Sequence, residues 1–219
     1  MTTRASGPAL SDAVGILIFD GVEVMDFAGP FEVFSVARRD PARRGETSSP
    51  VPPVLLARGM EPVTTTGGMQ VLPGADLAEP PPLRALIVPG GIGVRKLLED
   101  QALHARIRDI HSRVELIISV CTGALLLGRM GLLEGREATT HGRYLDVLAA
   151  QVPGCRVVGD RRVVDQGGIL TSGGIAAGID AALYLLARWE GEEVAAEAAD
   201  YMEYRPAADR PAAVTAGRR

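Results

Sequence analysis

The sequence contains little of several residue types, and each shortage argues against a class of protein. Only two of the 219 residues are cysteines, Cys121 and Cys155. Two are too few for a disulfide scaffold and indicate free thiols in a reducing compartment. No apolar run reaches the roughly 18 residues of a membrane span, and residues 1–13 lack the apolar stretch of a secretory signal. We therefore expect a soluble, cytoplasmic protein with no membrane partner.

Basic charge and histidine are also scarce. The 23 Lys and Arg residues are outnumbered by 27 Asp and Glu residues, giving a formal net charge of -4, which argues against a nucleic-acid partner because phosphates require clustered cations. Neither GxxxxGK[ST] nor GxGxxG is present, so nucleotide binding is not expected. The three histidines lack metal-ligand spacing, and we predict no metal and no other cofactor. His104 and His111 are seven residues apart on a predicted helix, where we expect an exposed polar face.

Most of the chain alternates between short apolar runs and helical segments. "VGILIFDG" (14–21) indicates a buried strand, and "DFAGPFEVFSVARR" indicates a helix with Pro30 in its first turn. The strand "VLLAR" and a hairpin in "EPVTTTGGMQVLPG" follow. The next segments are the strand and glycine turn "RALIVPGGIG", the helix "KLLEDQALHARIRDIHSR", the strand and helix "ELIISVCTGALLLGR", and the short strand and helix "REATTHGRYLDVLAAQV". A meander in "RVVGDRRVVDQGGILTSGG" and two helices complete the domain. This alternation predicts an α/β fold with a mostly parallel sheet covered on both faces. We expect one domain at 13–205, a disordered tail at 1–12 and a flexible tail at 206–219.

Three segments place functional groups at the carboxyl ends of predicted strands, where ligands bind in such sheets. They are the stretch before Asp26, the run Pro89-Gly90-Gly91 and the run Cys121-Thr122-Gly123. Cys121 joins a strand directly to a helix, which is a nucleophile elbow with cysteine in place of serine. We expect the helix N-terminus to favour the thiolate, and Gly123 to keep bulk away from it. Cys155, in a turn or at a strand start, is interpreted as structural or incidental.

Two of the groups predicted near Cys121, the Asp26 carboxyl and the Gly90-Gly91 pair, have two interpretations each. Asp26 either caps a helix beginning near Gly29-Pro30 or acts as an acid or base whose pKa is raised by burial and by a nearby thiolate. The backbone amides of Gly91 and Thr122 are candidates for stabilising an anion, although the glycine pair alone suits an ordinary tight turn. His141 ends the strand-like "EATTH", at the same sheet edge if that strand is parallel. We expect His141, Gly90 and Gly123 to support the reacting groups.

Longer motifs resemble the ThiJ/PfpI superfamily over about residues 14–204, and within it the isonitrile hydratase branch. The motifs are "LIFDGVEVMDFAGPFEVF", "ALIVPGGIG", "SVCTGALLLGRMGLLEGREATTH" and "GILTSGGIAAGIDAAL". The resemblance implies a flavodoxin-like three-layer sandwich, a homodimer and a small-molecule substrate. It also implies Cys121 as nucleophile, Asp26 as its acid/base partner and Thr122 as an adjacent site residue. Protease-like members carry His where Thr122 stands, and Gly142 follows His141 where the branch tends to carry an aromatic residue.

The resulting hypothesis is hydration of an isonitrile to an N-substituted formamide. The Cys121 thiolate adds to the isonitrile carbon, Asp26 protonates that carbon, and water then attacks the thioimidate with Asp26 as base. The amides of Gly91 and Thr122 orient the water or stabilise charge. The alternatives are a cysteine-based ligand or oxidant sensor and a glyoxalase-like or amidase-like enzyme. A regulator with its own helix-turn-helix domain is not expected, because only about 15 residues follow the last predicted helix.

Overall fold

The computed structural model describes residues 13–207. The tails predicted at 1–12 and 206–219 lie outside the described residues, except for residues 206 and 207. The eleven strands of the described range are β1 (Val14–Leu17), β2 (Pro53–Ala57), β3 (Val63–Thr64), β4 (Gln70–Val71), β5 (Ala75–Asp76), β6 (Ala85–Val88), β7 (Leu116–Val120), β8 (Glu137–Ala138), β9 (Arg156–Val157), β10 (Val163–Asp165) and β11 (Ile169–Ser172). Its seven α-helices are α1 (Val24–Val36), α2 (Val94–Leu97), α3 (Gln101–His111), α4 (Gly123–Arg129), α5 (Leu145–Gln151), α6 (Ala177–Glu190) and α7 (Glu192–Tyr201).

Seven strands form the central sheet in the order β10-β11-β7-β6-β1-β2-β5. All neighbouring pairs are parallel except β10 and β11, which are antiparallel. Strands β1, β6, β7 and β11 are buried along their whole length, as expected where helices cover both faces of a parallel sheet. Their carboxyl ends therefore meet at one edge.

Two apolar cores lie on the two faces of this sheet. One contains Phe34 of α1 together with Leu183 and Leu186 of α6, and the other contains Ile107 of α3 and Leu126 of α4. The arrangement confirms the predicted three-layer α/β sandwich with a mostly parallel sheet. None of the helices within residues 13–207 combines the length and the apolar character that crossing a membrane requires.

Two helices differ from their predicted boundaries. Helix α1 begins at Val24, so Pro30 lies inside it and not in its first turn. The Pro30 ring approaches Gly178 of α6, and this packing outweighs the preference of proline for helix starts. The segment predicted as one helix after β6 is divided into α2 and α3, because the Asp100 side chain accepts a hydrogen bond from the Leu103 amide and starts a new helix.

The short strands pair as predicted in two cases and differently in a third. The β3–β4 hairpin forms as expected, and β10 pairs with β11 across the Gly167-Gly168 turn. Strand β9 does not join that meander; it pairs in parallel with β8 in a separate two-stranded sheet. A strand of two residues carries too little pattern to reveal its partner.

The expected exposed histidine face on α3 is wrong. His104 is 1% exposed, and its Nε2 lies 2.8 Å from the Leu97 carbonyl oxygen. His111 is partly buried, and burial lowers its pKa. Both share a helix face with the fully buried Ile107, so the seven-residue spacing marks the inner face of the helix. In the described range, no three His, Cys, Asp or Glu side chains come together as a metal site would require.

Candidate active site

Asp26 connects two strand ends at the carboxyl edge of the sheet. Its carboxylate is fully buried, and Oδ2 accepts a hydrogen bond from the Gly90 amide at 3.0 Å while Oδ1 accepts one from the Ile175 amide at 3.1 Å. Gly90 follows β6 and Ile175 follows β11. The carboxylate therefore binds amides of other segments and does not cap its own helix, so the helix-cap interpretation is wrong.

Cys121 occupies a sharp turn between β7 and α4. Its φ is 58°, in the left-handed region that few non-glycine residues adopt. The turn is held by the Cys121 amide, which donates to the carbonyls of Ser172 and Gly173, and by the Thr140 hydroxyl, which donates to the Cys121 carbonyl at 2.7 Å. The predicted elbow geometry is present.

Gly123 and Gly90 allow this turn to pack against β6. A Cβ on Gly123 would lie 2.1 Å from the Val88 carbonyl oxygen, and one on Gly90 would lie 2.6 Å from the Thr122 nitrogen. Both contacts involve backbone atoms, which cannot move aside as a side chain can. Glycine at these positions is thus a requirement of the close approach of two segments, in agreement with a supporting role.

The thiol of Cys121 forms a hydrogen bond with the Asp26 carboxylate, and the backbone amides of Thr122 and Ile175 donate to the sulfur. Burial, and after it the negative charge of Asp26, raise the pKa of Cys121 to about 12; the two amides oppose this rise and are outweighed. The expected resting thiolate is therefore wrong. Burial and the adjacent carboxylate both act against the charged form of the sulfur.

Burial also raises the pKa of Asp26, to about 6. The amides of Gly90 and Ile175 and the Cys121 thiol stabilise the charged form and limit the rise, while the charge of Glu23 adds to it. At neutral pH the resting pair is consequently a protonated thiol donating to an ionised carboxylate. Such a pair holds a nucleophile and its base in direct contact.

The amide donors differ in part from those predicted. The Gly91 amide donates to the Thr122 hydroxyl oxygen at 3.1 Å and is thus engaged within the turn. Only the Thr122 amide of the predicted pair reaches the sulfur, and the second donor is Ile175, which was not predicted. Ile175 has φ 56° and follows the Gly173-Gly174 pair after β11. That glycine pair repeats the pattern after β6 and was the available signal.

His141 lies beside this site, but it does not end a strand of the central sheet. Strand β8 ends at Ala138 in the separate sheet, and His141 precedes a short 3-10 helix (Gly142–Tyr144), where its Nδ1 accepts from the Arg143 amide. A Cβ on Gly174 would lie 2.2 Å from its ring. His141 therefore packs against the loop that carries the Ile175 amide. Cys155 is buried and does not line the site.

A cavity of about 430 Å³ opens onto Cys121, Thr122 and Ile175. This volume lies in the range of small-molecule sites. Much of its wall is apolar, formed by Ile92, Val94, Leu98, Leu125 and Val147. The polar lining side chains are Glu23, Arg95, His141, Tyr144 and Gln151.

The sheet order and the cysteine at the strand-to-helix turn define a flavodoxin-like α/β sandwich with an elbow at its carboxyl edge. The sequence model of the DJ-1/PfpI family matches residues 12–188, and the chain belongs to this family. Among its relatives, isonitrile hydratase of Pseudomonas putida is 37% identical over 194 residues, covering 89% of this chain and 79% of that protein. The superfamily resemblance found in the motifs is thereby confirmed.

Other similar proteins include a transcriptional regulator and two proteins of known structure. The HTH-type transcriptional regulator GbdR of Pseudomonas aeruginosa is 27% identical over 93% of this chain, which spans 55% of that regulator's length. A ThiJ/PfpI family protein from Pseudomonas syringae superposes with a TM-score of 0.76 at 29% identity, covering 94% of this chain and 83% of that one. Drosophila melanogaster DJ-1beta superposes with a TM-score of 0.72 at 22% identity, covering 89% and 99% respectively, and supports the fold alone.

Proposed function

We propose that this protein adds water to an isonitrile and releases the N-substituted formamide, without a cofactor. The observation that carries the proposal is the Asp26–Cys121 pair, in which a thiol donates to a carboxylate at the end of a largely apolar cavity. The 37% identity to an isonitrile hydratase supports the choice of substrate class. An isonitrile carbon accepts a nucleophile and then a proton, and the pair supplies both.

The first step forms a covalent bond to sulfur. The Asp26 carboxylate takes the thiol proton as Cys121 Sγ attacks the terminal carbon of R–N≡C, and Asp26 then delivers that proton to the same carbon. The product is a thioimidate, R–N=CH–S–Cys121, formed without a leaving group. Asp26 ends the step as a carboxylate, with its pKa near the working pH so that it can accept and return the proton.

The second step consumes water and restores the thiol. Asp26 takes a proton from water as its oxygen attacks the thioimidate carbon, and then protonates the nitrogen to give R–NH–CH(OH)–S–Cys121. The C–S bond breaks as the hydroxyl proton passes through Asp26 to sulfur, releasing R–NH–CHO. The amides of Thr122 and Ile175 stabilise the negative charge that develops on the departing sulfur.

A sensor that binds a small ligand without turnover is the second candidate. The similarity to GbdR favours it, because this chain matches about half of that regulator. Oxidant sensing is less suited to the site, since oxidation requires a thiolate and the pKa of Cys121 is raised to about 12. A glyoxalase-like or amidase-like reaction is distinguished from hydration by a substrate panel.

The proposal extends to a homodimer acting in the cytoplasm. Light scattering of the purified chain measures the oligomeric state.

The proposed reaction is tested by incubating purified protein with a simple aryl isonitrile and measuring the formamide by chromatography. Multiple turnovers by the wild type, lost in Cys121→Ala, are expected. Absence of turnover over a panel of aryl and alkyl isonitriles would refute the proposed reaction.

A further inference from the structure

The cavity wall carries one strongly basic side chain within the described part of the chain, that of Arg95. Arg95 is the second residue of α2 and lines the same cavity as Cys121 and Thr122. Its side chain is exposed and forms no hydrogen bond or ion pair with another residue of the range 13–207. No residue of the described range therefore occupies its donors, and the guanidinium can meet a ligand in the cavity.

Neighbouring arginines are engaged differently. Arg58 pairs with Asp100, and Arg129 pairs with Glu99. Arg95 differs from these two arginines because it has no such partner among the described residues. A guanidinium presents a planar fork of donors that matches the two oxygens of a carboxylate.

We propose that Arg95 binds a carboxylate on the substrate, so that the preferred substrate is an isonitrile whose apolar body ends in a carboxylate. This inference rests on the proposed function. The isonitrile carbon lies at Cys121, the apolar body contacts side chains such as Leu98 and Leu125, and the carboxylate reaches Arg95 in the same cavity. Arg95 is a binding residue in this account and takes no part in proton transfer.

The charges around the cavity favour a carboxylate over a phosphate. Glu23 also lines the cavity, and the Asp26 carboxylate lies behind Cys121. A phosphate with nearly two negative charges would face both carboxylates with a single cation to balance it. A carboxylate carries one charge, which Arg95 alone neutralises.

The test compares two substrates that differ only in this group, 4-isocyanobenzoate and 4-isocyanobenzamide. We expect the wild type to prefer the carboxylate, and Arg95→Gln to lower the ratio of the two kcat/KM values about tenfold or more, as loss of a charge-assisted pair predicts. Arg143→Gln is the matched control. Arg143 is exposed, has no side-chain partner among the described residues, and does not line the cavity, so its substitution leaves the ratio unchanged.

A second readout does not depend on hydration. Iodoacetate and iodoacetamide both alkylate a cysteine, forming an S–C bond with loss of iodide and of the thiol proton, and they differ in a carboxylate. The rate of alkylation of the peptide containing Cys121 is measured with each reagent by mass spectrometry. We expect Arg95→Gln, and not Arg143→Gln, to lower the iodoacetate-to-iodoacetamide rate ratio about fivefold or more.

The two readouts separate the two claims. If no isonitrile is hydrated but the alkylation ratio falls in Arg95→Gln, the proposed reaction fails and the carboxylate site stands. If hydration occurs but neither ratio changes in Arg95→Gln relative to Arg143→Gln, the carboxylate site is refuted and the reaction stands.

Discussion

Asp26 and Ile175 are joined by a hydrogen bond of 3.1 Å although 149 residues separate them in the chain. The Ile175 amide donates to the carboxylate and also to the sulfur of Cys121. One backbone group thereby links the base and the nucleophile, and both lie on segments fixed by the buried strands.

Substitution Asp26→Asn removes the base while retaining the size of the side chain. We expect kcat/KM for an aryl isonitrile to fall at least about 100-fold, the usual contribution of a positioned general base. The thiol, with no carboxylate to take its proton, is a poor nucleophile at neutral pH. Asp160→Asn, at an exposed aspartate away from the cavity, is the control, and equal activity of the two variants would contradict the assignment.

The pH dependence of kcat/KM reports the protonation of Asp26 in the free enzyme. We expect activity to rise with pH through a value near 6, because the pKa of Asp26 is about 6 and only its ionised form accepts the thiol proton. Glu23→Gln removes a charge that raises this pKa, so the inflection should move to lower pH. Glu99→Gln leaves it in place, and an inflection unmoved in Glu23→Gln would count against the electrostatic account.

The raised pKa of Asp26 should also make folding stability depend on pH. The pKa of Asp26 is raised from 3.8 to about 6 in the folded protein, so the folded state binds this proton more tightly than the unfolded state. The associated stabilisation is complete below about pH 4 and is lost as pH rises through 6, an effect of about 3 kcal/mol at most. We expect the Tm difference between Asp26→Asn and the wild type to shift in favour of the variant from pH 4.5 to 8. A difference independent of pH would contradict the raised pKa.

Thiolate formation can be followed directly by absorbance near 240 nm. In a Cys155→Ala background, we expect no thiolate from Cys121 at pH 8, because burial and the Asp26 charge raise its pKa to about 12. Asp26→Asn removes the charge and should lower the pKa of Cys121. Full thiolate absorbance at pH 7 in the wild type would restore the helix-dipole explanation.

The contact between the elbow and β6 predicts a selective effect of added methyl groups. Gly123→Ala places a Cβ against the Val88 carbonyl oxygen, and we expect a loss of about 1–3 kcal/mol or more in the free energy of unfolding. Gly142→Ala meets no atom within 4 Å and should change stability by less than about 0.5 kcal/mol. Chemical denaturation of both variants makes the comparison, and equal stabilities would show that the close approach is not rigid.

Much of this site could be predicted from the sequence because its elements are local. The apolar strand before Cys121 and the glycine after it fix the elbow, and the family motifs add Asp26. The Ile175 amide was not predicted because a backbone donor is not marked by its own residue type; its only signal was the Gly173-Gly174 pair before it. The protonation state of Cys121 was predicted wrongly because burial depends on packing from distant segments. His104 shows the same limit, since the spacing that places it with His111 does not reveal which face packs inward.

In the proposed reaction, the Cys121 sulfur bonds to the isonitrile carbon while Asp26 carries the proton. Mass spectrometry of protein denatured during steady-state turnover detects this bond, because a non-covalent complex of the same mass dissociates on denaturation. We predict a species heavier than the free protein by one whole substrate molecule, located at Cys121 and absent from Cys121→Ser. Undiminished formamide production by Cys121→Ser, with no such species in the wild type, would refute covalent catalysis by Cys121.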